Sequence, residues 1–144
     1  MDLLEDYNKK MQPFFDIIGA AYESQKWYKQ GLQESVYEVG LNIELEQKGY
    51  KILKQEEFRI WYKGQPTERK YRMDLVVSTP LIGDIIVELK ALNAIDDRQR
   101  KQLWSYLRLT NTKYGILINF GPQSVYSEKW EYDSETNRFL AINI

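Results

Sequence analysis

The chain has 144 residues, of which 43% are hydrophobic and 28% charged. These values exclude disordered and fibrous classes, and we expect residues 1–144 to form a single domain. Cysteine and histidine are both absent, which excludes disulfide scaffolds, thiol catalysis, Cys/His zinc sites and Ser-His-Asp triads. An oxygen-liganded metal such as Mg²⁺ is the compatible cofactor for the groups that remain.

The formal net charge is −1, but its distribution along the chain is uneven. Residues 63–113 hold ten basic and six acidic groups, an excess of +4 that could attract a polyanion modestly. An ordinary solvated surface is the simpler interpretation of this excess. The chain begins without a signal-peptide pattern and has no apolar run of 18 residues, so we expect a cytoplasmic protein.

Helical periodicity marks two segments before the first strand. The spacing of apolar residues predicts a helix over 14–29, which ends before Gly31. A second helix is predicted over 32–48 and ends at Gly49. This helix is apolar on two sides, and we therefore expect it to be packed on both sides at the centre of the fold. One side carries Leu32, Val36, Val39 and Ile43, and the other carries Leu41 and Leu45.

Alternating and β-branched segments follow, with one further helix among them. The helix is predicted over 96–110, with Asp96 as its N-cap. The order ααβββαβββ predicts an α/β protein with a mixed central sheet flanked by helices. Strands are predicted over 51–62, 70–78, 84–90, 114–120, 124–132 and 138–143, the last two forming a hairpin.

Three polar features depart from a simple folding pattern. Glu34 lies near the apolar side of the second helix, although a glutamate at a helix N-terminus is also favoured by the helix dipole. Asp74 interrupts a strand, where aspartate is disfavoured. Glu88 and Lys90 lie two positions apart and so share one face of their strand, which is also the pattern of a weak surface ion pair on an edge strand.

Together these features indicate more than each does alone. A tight turn between the second and third strands would bring Asp74 beside Glu88. Two converging carboxylates with an adjacent lysine suit a hard divalent cation and a positive group. Gln102 and Tyr106 share one face of the next helix, where they could contact a phosphate or a base.

The residues Asp74 and Glu88-Leu-Lys90 resemble the signature of the PD-(D/E)XK nuclease superfamily, whose restriction-endonuclease-like fold matches the predicted α/β order. Gln102-Leu-Trp-Ser-Tyr106 resembles the Gln-x-x-x-Tyr motif of the RecB-like exonuclease branch.

A further motif resembles a narrower group. Gly31-Leu-Gln-Glu34-Ser-Val-Tyr37 matches the pattern that names the GxxExxY protein family, and Ile118-Asn-Phe-Gly121 matches another of its landmarks.

The resemblance implies a metal-dependent nuclease that hydrolyses phosphodiester bonds in nucleic acid, DNA rather than RNA, in repair, recombination or defence. It implies that Glu34, Asp74 and Glu88 ligate Mg²⁺ or Mn²⁺. Lys90 would act on the attacking water, and Gln102 and Tyr106 would orient Lys90 and contact the nucleic-acid backbone.

Seven basic residues near the motifs would position phosphates: Arg69, Lys70, Arg72, Arg98, Arg100, Lys101 and Arg108. The alternative is a catalytically silent nuclease-like module that binds nucleic acid or a protein partner through exposed aromatic residues. A third interpretation treats the carboxylates as members of internal ion pairs. The sequence predicts no membrane partner and leaves the oligomeric state, including a dimer, open.

Overall fold

The computed structural model describes residues 2–143, and the order of its elements confirms the predicted ααβββαβββ pattern. The bounds of the helices and strands are α1 (Leu3–Tyr28), α2 (Glu34–Gln47), β1 (Lys51–Tyr62), β2 (Gln65–Thr79), β3 (Gly83–Lys90), α3 (Asp97–Thr110), β4 (Tyr114–Asn119), β5 (Tyr126–Asp133) and β6 (Arg138–Ala141).

The strands form one six-stranded sheet in the order β1-β2-β3-β4-β5-β6. Neighbours are antiparallel except for β3 and β4, which are parallel and are connected by α3. All six residues of β4 are buried. A continuous apolar strand of this kind is typical of a sheet covered on both faces, which gives an α/β fold with a restriction-endonuclease-like architecture.

Side-chain alternation along β3 divides the core into two layers. Ile85, Val87 and Leu89 pack with α1 and α2, whereas Ile86 packs with α3 on the other face. Helix α3 lies close to β4, because a Cβ atom on Gly115 would be 3.0 Å from a methyl group of Leu103. The odd positions of β3 are thus used for the α1–α2 layer, and its even positions face α3.

Helix α2 departs from the sequence expectation on one of its sides. Leu41 and Leu45 are fully buried, as predicted. Val39 and Ile43 on the other side are 51% and 49% exposed, so the prediction that both sides are packed is wrong for residues 2–143. The reason is position: α2 packs on the sheet and on α1, and an outer helix of a three-layer fold keeps one side toward solvent.

Helix α1 begins eleven residues before the predicted start at residue 14. The Asp2 side chain accepts a hydrogen bond from the Glu5 backbone N–H at 2.8 Å and so caps the helix. Pro13 lies buried inside the helix. The predicted cap of α3 is confirmed, since Asp96 and Gln99 form a reciprocal capping box. Within residues 2–143, no helix is long and apolar enough to cross a membrane.

The segment that follows β3 is fastened to the end of β4. The Asn119 side chain accepts hydrogen bonds from the backbone N–H groups of Leu92 (2.8 Å) and Gly121 (3.0 Å), and its amide donates to the Leu92 carbonyl (2.9 Å). The Lys90 carbonyl accepts a further bond from the Phe120 N–H. These contacts hold the chain rigidly just beyond Lys90.

We predict that Gly121→Ala destabilises the protein strongly. A Cβ atom at this position would lie 1.8 Å from the Leu92 carbonyl oxygen, a backbone atom that cannot move without breaking the Asn119 contacts. The free energy of unfolding, measured by urea denaturation, should fall by about 2 kcal/mol or more.

Gly19→Ala is the matched control, because a Cβ atom there meets nothing within 4 Å and alanine is favoured in a helix. A Gly121→Ala variant as stable as the Gly19→Ala variant would contradict this account of the close approach.

Candidate functional site

Strands β2 and β3 separate at Asp74 and Glu88. Their regular pairing ends at Leu75 and Val87. At the next position the Glu88 carboxylate accepts a hydrogen bond from the Asp74 backbone N–H at 3.1 Å, and the Asp74 carboxylate accepts one from the Leu89 N–H at 2.8 Å. The two side-chain carboxylates thus take the place of the backbone carbonyl groups that would accept these hydrogen bonds in a regular strand pair. The exchange widens the gap between the strands and brings the two carboxylates together, as the sequence predicted.

The other side of β3 is held by β4. Pairing continues through Glu88 with Leu117 and Lys90 with Asn119. Strand β3 is therefore central in the sheet, and Glu88 is only 2% exposed. The interpretation of Glu88 and Lys90 as a surface ion pair on an edge strand is wrong, because tertiary pairing buries this end of the strand.

Lys90 is oriented by α3. Its Nζ atom donates a hydrogen bond to Gln102 Oε1 at 2.8 Å, and Gln102 Nε2 donates to Tyr106 Oη at 3.1 Å. The two α3 residues lie one turn apart on the same helix face, as their spacing predicted. The phenol ring of Tyr106 also packs against Phe58 and Tyr71, with both ring centroids at 5.7 Å. Gln102 thus connects the Lys90 ammonium group to an aromatic cluster.

Helix α2 contributes two carboxylates, of which the sequence singled out one. Glu34 is exposed at the first position of the helix, as a residue favoured by the helix dipole would be. Glu38 lies one turn later and accepts hydrogen bonds from Gln55 Nε2 at 3.0 and 3.1 Å. Burial raises the pKa of Glu38, and the neighbouring charges of Asp74 and Glu34 raise it further.

Glu38 is thus a site carboxylate that motif reasoning missed. The available signal was its i+4 spacing from Glu34, which places both residues on one helix face. The contact between Glu38 and Gln55 could not be predicted, because no sequence pattern singles out Gln55. Its backbone has a φ of 50°, and the pairs on either side of it place it opposite Asp74.

The electrostatics of this carboxylate group favour a cation. Burial raises the pKa of Glu88 to about 9, and the Asp74 charge adds to this effect, whereas Lys90 opposes it. All the acidic donors are oxygen ligands, which Mg²⁺ and Mn²⁺ prefer. A divalent cation would offset the mutual repulsion of Asp74 and Glu88, so the residues present fit such an ion chemically. Among residues 2–143, however, no three acidic side chains are close enough together to form a metal cage.

The basic residues near the site differ in how closely they pair with carboxylates. Arg100 forms hydrogen bonds with Glu128 at 2.7–3.0 Å and with Asp97 at 3.1 Å. Two carboxylates thus already pair with Arg100 in this arrangement, and its expected role in positioning phosphate stays a prediction. Arg98 pairs with the N-cap Asp96 on the surface. Two of the three basic residues at the start of α3 are therefore closely paired, whereas Lys70 and Arg72 on β2 share one carboxylate at the longer distances of 3.9 and 3.7 Å.

Gly31 and Tyr37 of the helix motif support the chain before α2. Tyr37 is fully buried and stacks on Phe120 at 4.6 Å. Its hydroxyl accepts a hydrogen bond from the Leu32 N–H at 3.1 Å and donates one to the Lys29 carbonyl. Gly31 has a φ of 105°, a conformation that favours glycine. The motif thereby shapes the turn that presents Glu34.

We predict that the metal-free protein loses stability as the pH rises. The pKa of Glu88 is about 9 in the folded protein and about 4.3 in an unfolded chain. Between these values the folded state binds more protons, so the free energy of unfolding falls with pH by up to about 1.4 kcal/mol per unit. Glu38 contributes in the same direction. Urea denaturation in a chelator at pH 5 to 9 measures the slope.

Glu88→Gln should reduce this slope, because an amide does not ionise. Glu23→Gln is the control, since Glu23 is exposed on α1. A slope that is equally steep in the wild type and in Glu88→Gln would show that Glu88 does not titrate as described.

Comparisons with known proteins bear on the fold and on the family of the chain. The crystal structure of SSO0001 matches with a TM-score of 0.54 and 21% identity, covering 72% of this chain and 53% of its own. The chain thus spans about half the length of that structure, and the likeness supports the fold. No curated protein sequence matches the chain.

A family model described as the PD-(D/E)XK nuclease superfamily matches residues 12–131. That segment contains the β2–β3 separation, Lys90 and the Gln102–Tyr106 pair. Because the match covers most of the sequence, the chain belongs to the PD-(D/E)XK nuclease superfamily.

Proposed function

We propose that the chain is a metal-dependent nuclease that hydrolyses phosphodiester bonds in DNA with Mg²⁺ or Mn²⁺. The observation that carries the proposal is the reciprocal Asp74–Glu88 contact beside a lysine that α3 holds in place. Superfamily membership supports nuclease chemistry and nucleic-acid binding. We further propose the RecB-like branch and, within it, the GxxExxY family, because the sequence carries both the Gly31–Tyr37 motif and the Gln102–Tyr106 motif.

In this proposal, Asp74 and Glu88 hold the cation. Glu34 becomes a third ligand when its side chain moves toward them, because no three acidic side chains of residues 2–143 are close enough together in this arrangement. When bound, a divalent cation supplies an activated water and stabilises negative charge on the phosphate. Asp74 and Glu88 are anchored through backbone N–H groups, so their free oxygen atoms have defined directions. Glu34 is exposed at the first position of α2, so its side chain is free to change rotamer. Glu38 adds negative charge and, through Gln55, ties α2 to β1.

Lys90 is proposed to act on the reacting groups. Its ammonium lies on the same strand face as Glu88, and its contact with the Gln102 amide leaves two donor protons for other acceptors. A positive group there can orient the attacking water and stabilise charge on the phosphoryl oxygens. Gln102 and Tyr106 are positioning residues in this scheme, because they act through Lys90.

We predict that Lys90→Ala and Asp74→Asn each lower DNA cleavage by at least about 100-fold. Each change removes a charge from the reacting region, while the buried strands of the sheet stay intact. Cleavage of fluorescently labelled single-stranded and duplex DNA in Mg²⁺ and in Mn²⁺ measures the effect. Binding of Mn²⁺ by calorimetry provides a second readout, which Asp74→Asn should weaken and Lys90→Ala should not.

Lys9→Ala is the matched control, because Lys9 lies near the β2–β3 turn at the opposite end of β3. Wild-type protein that neither cleaves DNA nor binds Mn²⁺ would rule out the enzymatic proposal. DNA binding without cleavage in any metal would instead support the silent binding module.

The contact between Lys90 and Gln102 generates a separate prediction. A hydrogen bond to a charged group contributes about 1.5–3 kcal/mol, so Gln102→Leu should lower kcat by about 10- to 100-fold with little change in KM. Tyr106→Phe should have a smaller effect, because it removes one partner of Gln102 but keeps the ring between Phe58 and Tyr71. Steady-state kinetics on a labelled oligonucleotide separates kcat from KM. Equal losses in kcat for both variants would contradict the proposed order of contacts.

A further inference from the structure

Strands β1 and β2 extend well beyond the rest of the sheet. Strand β2 pairs with β3 only over residues 75–79, whereas its pairing with β1 continues to the turn at Lys63 and Gly64. Residues 56–73 therefore form a two-stranded ribbon, which we call the arm. The arm begins next to Asp74, so its base lies at the candidate site.

The arm changes its orientation where it leaves the sheet. Ile52 and Val77, which pair with each other, pack with α1 and α2. Phe58 and Tyr71 also pair with each other. Regular alternation along each strand would place Phe58 on the same face as Ile52 and Tyr71 on the same face as Val77. Both nevertheless pack with α3 on the opposite face of the sheet. The switch occurs near Gln55, whose φ is 50°. One face of the arm thereby leans on Tyr106, and the opposite face points away from the protein core.

The charge on the arm is positive. Residues 56–73 contain five basic and three acidic side chains, in a chain whose net charge is −1. Lys70 and Arg72 approach the same Glu57 carboxylate at 3.9 and 3.7 Å, so one negative charge faces two positive ones. All three of these side chains are about half exposed. Arg59 is the cross-strand partner of Lys70, which extends the basic surface along the arm.

The tip of the arm exposes two large aromatic rings. Trp61 and Tyr62 are 61% and 65% exposed. The Lys63 ammonium lies 5.4 Å from the centre of the Tyr62 ring. Exposed rings beside cations are the arrangement on which unpaired bases stack, because a base offers a flat face and its phosphate a negative charge.

Resting on the proposed nuclease function, we propose that residues 56–73 form a binding arm for single-stranded nucleic acid. Lys70, Arg72 and Arg59 contact backbone phosphates, and Trp61 and Tyr62 stack on unpaired bases of the strand that enters the site. Eight residues separate Asp74 from Pro66, the partner of Trp61, which corresponds to about 26 Å at the rise of a strand. A strand that reaches both the site and the tip must therefore span about 26 Å.

The first test measures binding without cleavage. Anisotropy of a labelled single strand of about 20 nucleotides, in a chelator, gives the dissociation constant of wild type and of Trp61→Ala/Tyr62→Ala. Loss of two stacking rings should weaken binding by at least about 10-fold. Tyr7→Ala is the matched control, because Tyr7 is an exposed aromatic residue on α1. Its affinity should equal that of the wild type.

The second test separates the charged part of the arm. Lys70→Gln/Arg72→Gln should make the slope of log affinity against log salt shallower by about 1.4, since each phosphate contact on a single strand contributes about 0.7. Lys9→Gln/Lys48→Gln removes the same charge near the β2–β3 turn and should leave the slope unchanged. Equal slopes in the two double variants would overturn the phosphate contacts.

Substrate length distinguishes failure of the arm from failure of the nuclease proposal. In Mn²⁺, Trp61→Ala/Tyr62→Ala should lose kcat/KM on a strand of about 20 nucleotides but not on one of about 3, which is too short to span the distance of about 26 Å between the site and the tip. Wild-type cleavage with no difference between the variants on either length would overturn the arm alone. Absence of both binding and cleavage by the wild type would overturn the arm together with the nuclease function.

Discussion

The exchange of hydrogen bonds between Asp74 and Glu88 is the contact on which the other features of the site depend. It ends the β2–β3 ladder by replacing backbone acceptors with carboxylates. It also leaves a buried carboxylate beside another negative group, an arrangement that is costly without a cation. Strand β3 stays paired with β4 beyond this point, whereas β2 continues only with β1 and becomes the base of the arm.

Helix α3 contacts both the lysine of the candidate site and the base of the arm. Through Gln102 it orients Lys90, and through Tyr106 it supports Phe58 and Tyr71 at the base of the arm. The helix itself is fixed over β4 by the close approach of Leu103 to Gly115. One rigid element therefore sets both the position of the lysine and the direction in which the ribbon extends, which is how a small protein can align a reacting group with a longer strand.

The distribution of charge makes the proposed nucleic-acid substrate compatible with a net charge of −1. The basic excess of residues 63–113 does not lie evenly on the surface, because Arg100 is balanced by Asp97 and Glu128. On the arm, Lys70 and Arg72 are only loosely paired with a single carboxylate. Negative charge is concentrated where a metal would bind, and positive charge lies where the phosphates of a strand would pass. The separation of positive from negative charge, rather than the net charge of the chain, is therefore the relevant property.

The sequence by itself determined the order of the elements, the Asp96 cap and the shared face of Glu88 and Lys90. These follow from local rules, since periodicity states how a side chain points relative to its own helix or strand. Tertiary structure alone decided that Glu38 joins the carboxylates, that Arg100 is already paired and that the outer side of α2 is exposed. It also decided the switch of faces at Gln55. The physical reason is that local patterns do not specify which element lies opposite, and burial and charge pairing depend on that neighbour.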